Sequence, residues 1–131
     1  MKIRRVLVAN RGEIAARIAR TCRELGVETV LARAENDLVP PVARLFDRVV
    51  NLGEGTVADT YLNVGRIIDA AKEVDADAIH PGYGFLSERP SMAAAAEDAG
   101  LIFVGPTAGV IEKMGSKTVA RQLMRDLGVP V

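Results

Sequence analysis

The sequence predicts an α/β fold, a doubly wound and mainly parallel five-stranded sheet with helices on both faces. Three observations lead there. Short apolar runs at residues 5–9, 28–32, 48–52, 77–80 and 101–104 are continuous rather than alternating, as strands buried on both faces are. Segments with helical apolar spacing or helix caps lie between those runs. Glycine, proline and asparagine mark the junctions.

Arg5 to Ala9 is the first strand, and Asn10-Arg11-Gly12 turns the chain. A helix follows from Glu13 to Leu25, with Ile14, Ile18, Cys22 and Leu25 as its apolar stripe and Gly26 as its stop. Cys22 on that stripe reads as packing, not as a nucleophile. Glu28 to Ala32 is the second strand, and Arg33 to Pro41 a polar loop. After the Pro40-Pro41 pair, Val42 to Phe46 is expected to form a short helix. Arg48 to Leu52 is the third strand, and Gly53-Glu54-Gly55-Thr56 a turn.

The next helix is expected from about Asp59 to Val74, with Leu62, Ile67, Ile68, Ala71 and Val74 mostly on one side. Asp77 to His80 is the fourth strand, broken by Pro81, which lacks a backbone donor. Pro90 to Ala99 is an alanine-rich helix closed by Gly100, and Leu101 to Val104 is the fifth strand. Thr107 caps a helix through Met114, and Ser116 caps another through Leu127.

The 131 residues fit one domain, with 49% hydrophobic residues and enough chain for a core without a staple. Seventeen basic and seventeen acidic residues balance, which argues against a dedicated nucleic-acid or membrane-surface binder. One Cys fits a reducing, cytoplasmic setting. No apolar run approaches a membrane span, and the run after the basic start is too short for a signal peptide.

Ligands in such folds bind beyond the carboxyl ends of the strands. The loops there are Asn10–Gly12, Arg33–Asp37, Leu52–Gly55, His80–Glu88 and Gly105–Thr107. The stretch His80-Pro81-Gly82-Tyr83-Gly84-Phe85-Leu86-Ser87-Glu88 stands out, with two glycines flanking a ring and the chain's one His at the strand break. His80 either carries a proton or ties the loop through its ring. Tyr83 and Phe85 either line a pocket or cover the sheet end, and Glu88 either pairs with a cation or caps the following helix. Lys117 stands near a helix N-terminus, against the dipole, where it serves either a phosphate or only the solvent. The Asn10 loop has one of the three glycines of a dinucleotide fingerprint and no Gly-Lys-Ser/Thr end. A signalling receiver domain needs acidic residues after the first strand, an Asp after the third and a Lys after the fifth; those places hold Asn10-Arg11, Leu52-Gly53 and Gly105-Pro106.

Four segments carry a resemblance: Ala9-Asn10-Arg11-Gly12-Glu13-Ile14-Ala15, Tyr61-Leu62-Asn63, His80 through Glu88, and Met114-Gly115-Ser116-Lys117. In their order and spacing the chain resembles the N-terminal domain of biotin carboxylase, the Rossmann-like domain that precedes an ATP-grasp lid. The likeness runs from Lys2 to the last residue. It implies part of a ligase in which MgATP and bicarbonate carboxylate biotin on a carrier protein, by way of carboxyphosphate. By the same resemblance Lys117 contacts ATP phosphate, Tyr83 and Gly84 lie on the biotin side, and His80 and Glu88 support that loop. Arg17, Arg20 and Glu24 match the polar contacts of a homodimer interface. The implied partners are a biotin carboxyl carrier protein and a carboxyltransferase component. No catalytic residue and no Mg²⁺ ligand is expected within the chain, because the family's lid, metal-binding glutamates and bicarbonate-binding arginine follow the position of Lys117. The expectation is one domain over residues 1–131 that ends before the lid and is inactive by itself. The alternative is a stand-alone nucleotide- or partner-binding module.

One segment departs from the pattern. Between Arg33 and Arg48 the family usually reads Ser-Asp-Ala-Asp, then a His, then Ala-Asp-Glu. This chain has Ala34-Glu35-Asn36-Asp37, then Val42, then Phe46-Asp47-Arg48, so the loop's local hydrogen bonds are expected to differ.

Overall fold

The structure is a computed structural model, and it describes residues 2–37 and 41–131. Five strands form one sheet: β1 (Arg5–Val8), β2 (Glu28–Arg33), β3 (Arg48–Asn51), β4 (Ala78–His80) and β5 (Ile102–Phe103). Their order is β3-β2-β1-β4-β5, and every neighbouring pair is parallel. All five carboxyl ends therefore share one edge. The order reverses at β1, whose neighbours are β2 on one side and β4 on the other. The crevice between the β1 and β4 ends is the topological switch point, where open α/β sheets bind ligands.

Alternation along the strands explains the two covered faces. Leu7, Val30, Ala32, Val50 and Ile79 point one way and pack with Ile67 and Ala71 of α2 (Val64–Glu73) and Met92 and Ala96 of α3 (Pro90–Asp98). Val6, Val8, Leu31 and Ala78 point the other way, onto Ala15 and Ile18 of α1 (Gly12–Glu24) and Phe46 beyond the 3-10 turn Pro41–Leu45. The chain ends in α4 (Ala108–Gly115) and α5 (Lys117–Asp126). Thr107 and Ser116 cap these two as expected, their hydroxyls accepting the Val110 and Val119 N–H groups.

Two expectations need correction. The α1 stripe is shifted. Ala15 and Ala19 are fully buried, Ile14, Ile18 and Cys22 only partly, and Leu25 is 71% exposed. Small side chains let the helix axis approach the sheet, so the alanines take the line of closest contact and the larger residues flank it. The helix expected from Asp59 begins at Val64 instead. The Asp59 carboxylate accepts from the Thr56 N–H and hydroxyl at 2.8 and 2.7 Å, which closes a separate turn. The Asn63 side chain then accepts the Arg66 N–H at 3.1 Å and starts α2. The short helix after the proline pair forms as a 3-10 turn, and residues 38–40 of the polar loop before it lie outside the described residues.

Candidate functional site

The loop after β4 is held at the switch point from inside. Asn10, at the end of β1, is fully buried. Its Nδ2 donates to the carbonyls of Pro81 at 2.7 Å and Tyr83 at 2.9 Å, and its Oδ1 accepts the Arg11 N–H at 2.9 Å. A buried amide left without partners would be strongly unfavourable; here both of its ends are occupied. The Ala9 N–H donates to the His80 carbonyl at 3.0 Å, so pairing of β1 with β4 continues to the base of the loop.

His80 ties the loop through its ring. Nδ1 accepts the Gly82 N–H at 3.0 Å, which puts the neutral ring's proton on Nε2. Burial lowers the imidazole pKa below its ordinary 6.5, so the ring is neutral at pH 7. The ring also borders an apolar groove of about 460 Å³ with Ile18, Cys22, Leu25 and Val104.

The two glycines differ. Gly82 has φ +65°, and a Cβ there would lie 2.6 Å from Ile14 Cγ2 and 2.7 Å from Asn10 Nδ2. Gly84 has φ +70° and nothing within 4 Å of the same position. Between them the Tyr83 side chain is 63% exposed, while its carbonyl is gripped by Asn10. The loop thus presents a ring and an open backbone face to solvent from a rigid base.

Phe85 follows with φ +46°, an unusual conformation for a residue with a Cβ. Its ring stacks on Tyr61, centroids 5.3 Å apart and planes 17° from parallel. The Arg11 guanidinium sits over both rings, 5.5 Å from the Tyr61 centroid and 5.4 Å from that of Phe85. The Tyr61 hydroxyl donates to Asp37 at 2.6 Å and accepts the Ala34 N–H at 3.2 Å. Burial, then the bond to Asp37, pushes its pKa up to about 12, so it remains a donor at neutral pH. Arg11 also lies 3.8 Å from Asp37. The sequence singles out Phe85 and the Asn10–Gly12 loop, but not the support that Asn10, Arg11 and Tyr61 give to the glycine loop. The available signal was Asn10, a polar residue directly after a continuous apolar strand.

Lys117 opens α5 and is exposed. It lines an open cavity of about 550 Å³ with Ser87, Glu88, Ile111 and Met114, so the far end of the loop borders the lysine. Glu88 is exposed, caps no helix, and makes no side-chain hydrogen bond or ion pair among the described residues. Its charge faces the lysine's cavity instead. Arg17, Arg20 and Glu24 all lie exposed along α1, and Arg17 pairs with Glu13 at 3.8 Å. Among the described residues no three His, Cys, Asp or Glu side chains gather in one place. No described helix is long and apolar enough to cross a membrane.

A parallel sheet in this strand order, with a glycine loop at its switch point and a lysine on a later helix, defines a doubly wound α/β domain with its candidate site at the carboxyl ends of the strands. The family model described as "Biotin carboxylase, N-terminal domain" matches residues 2–111, and the chain belongs to that family. It is 48% identical over 129 residues to biotin carboxylase 1 of Bacillus subtilis, covering 98% of this chain and 29% of that protein. It is 47% identical over 130 residues to the mitochondrial pyruvate carboxylase of Homo sapiens, covering 98% of this chain and 11% of that one. Among solved structures it is similar to the biotin carboxylase domain dimer of the Hydrogenobacter thermophilus 2-oxoglutarate carboxylase, in complex with MgADP, ADP and bicarbonate. The TM-score there is 0.90 at 44% identity, covering 100% of this chain and 29% of that one. The chain therefore spans under a third of the relatives it matches.

Proposed function

We propose that this chain is the N-terminal part of an ATP-dependent biotin carboxylase, a ligase in which MgATP and bicarbonate carboxylate biotin on a carrier protein. The observation that carries the reading is the family match over residues 2–111, whose loop at the switch point is built around Tyr83 and Gly84. Tyr83 and Gly84 would face the biotin. The open space over the Gly84 α-carbon and the exposed Tyr83 ring fit a flat heterocycle against that wall. Lys117 would hold an ATP phosphate: its ammonium and the N-terminus of the ten-residue α5 both attract an anion, and the adjoining cavity leaves room for one. His80 would support the loop rather than move protons, since its Nδ1 is already committed to Gly82. When bound, ATP supplies the activation that makes bicarbonate a carboxyl donor, while the residues present here bind and orient.

In this reading the 131-residue chain is one domain, with the lid and the metal ligands supplied by the rest of a longer protein, and it is inactive by itself. A carboxyltransferase component would take the product, and Arg17, Arg20 and Glu24 would contribute to a homodimer interface. The test is carboxylation of free biotin by the full-length protein. Lys117→Ala is expected to lower the efficiency of ATP use about tenfold or more, the scale of losing a charge-assisted phosphate contact. An unchanged KM and turnover would remove Lys117 from the site, and bicarbonate-dependent ATP cleavage by the 131-residue chain would overturn the reading that it is inactive by itself. Charge reversal at Arg20 is expected to shift the full-length protein toward monomer in sedimentation; an unchanged profile counts against the interface.

A further inference from the structure

Tyr83 and Gly84 are the residues offered to a ligand, yet neither is fixed by its own side chain. Tyr83 points to solvent and Gly84 has none. The next residue is Phe85, in a left-handed conformation that an aromatic residue adopts only where its surroundings impose it. Those surroundings come from three separate loops at the same sheet edge. Tyr61, ahead of α2, stacks on the Phe85 ring. Arg11, between β1 and α1, lies over both rings. Asp37, after β2, accepts the Tyr61 hydroxyl and faces the Arg11 guanidinium at 3.8 Å. Neighbouring Asn10 holds the other side of the loop by the Pro81 and Tyr83 carbonyls.

We infer that Arg11 is a positioning residue for the biotin-side loop: its guanidinium, clamped on the Phe85–Tyr61 stack and oriented by Asp37, keeps Phe85 in its strained conformation and so sets where Tyr83 and Gly84 stand. The inference rests on the reading of that loop as the biotin side. The chemistry suits arginine. A planar cation lies flat on an aromatic face and still has an edge free for a carboxylate, whereas an ammonium keeps the attraction to the rings but not the planar stacking. Arg11 is also half-exposed, so its replacement removes the clamp without opening a cavity in the core.

The test uses the full-length enzyme with free biotin and ATP. Arg11→Gln is expected to raise the KM for biotin about tenfold and leave the KM for ATP within about twofold, since a displacement on the order of 1 Å is enough for such a loss. It is also expected to speed amide exchange in residues 82–88. Arg11→Lys, which restores a cation over the rings, is expected to recover part of both effects. Unchanged exchange in that loop overturns the clamp, whatever happens to biotin. Equal rises in both KM values overturn the positioning role, because they mark general damage. Tyr83→Ala run alongside separates the two readings. If it raises the KM for biotin and Arg11→Gln does not, Arg11 loses its role and the loop keeps its own. If exchange rises in Arg11→Gln while neither variant alters the KM for biotin, the clamp stands and the biotin-side assignment falls.

Discussion

The loop from His80 to Glu88 and the helix pair α4–α5 lie at the same edge of the sheet and border a common cavity, but they are built in opposite ways. The loop is gripped by a buried amide, a ring nitrogen and an aromatic stack, all supplied by this chain. The helix pair has one buried residue, Ile111, and α5 has none. α5 packs on α4, which packs on α3, so it stands outside the two cores. Val110, Met114, Val119 and Leu127 leave apolar surface exposed along that pair. One wall of the proposed site is finished by packing within this chain, and the wall that carries Lys117 is not.

The contrast can be broken first at Gly82. Alanine there would meet Ile14 and Asn10 at under 3 Å in a backbone conformation that already disfavours a Cβ. A loss of about 2–5 kcal/mol is expected from overpacking and strain together, measured by denaturant unfolding. A loss below about 0.5 kcal/mol would mean the loop is not gripped as described. Asn10→Ala is next. It removes the partners of the Pro81 and Tyr83 carbonyls, and about 2–3 kcal/mol is expected, with the loop's amide exchange rising most. Matching substitutions on α5, such as Val119→Ala, are expected to fall within about 0.5 kcal/mol of the parent, as exposed sites do.

The smallest effect is a pH dependence. His80 has a folded pKa below its unfolded 6.5, so the unfolded chain binds more protons between those two values. Stability from the neutral ring is present above pH 6.5 and is lost as pH falls through the folded pKa. The melting temperature of the parent is therefore expected to fall more steeply below pH 6.5 than that of His80→Gln. Parallel curves would show that burial does not hold the ring neutral.

The fold was legible because its signals are local and redundant. Continuous strands, the Gly26 and Gly100 stops and the Thr107 and Ser116 caps each identify their element independently. The late start of α2 was hidden because Asp59 and Asn63 compete for the backbone through side-chain bonds that periodicity does not register. The Leu25 exposure was hidden because periodicity finds a stripe but not which residue along it lies nearest the sheet. The prominence of the switch-point loop was readable from its glycines and its ring. Its supports were not, since Asn10, Arg11, Asp37 and Tyr61 come from three other segments and meet only after the sheet forms.

The most direct measurement is residue-resolved amide exchange on the 131-residue chain under native conditions. The Ala9 N–H, bonded to the His80 carbonyl, and the Gly82 N–H, bonded to the His80 ring, report the finished wall; the α5 amides report the other. The α5 amides are expected to exchange at least about a hundredfold faster than these two, since outlying helices open locally at little free energy. Exchange of α5 as slow as that of Ala9 and Gly82 would contradict that expectation.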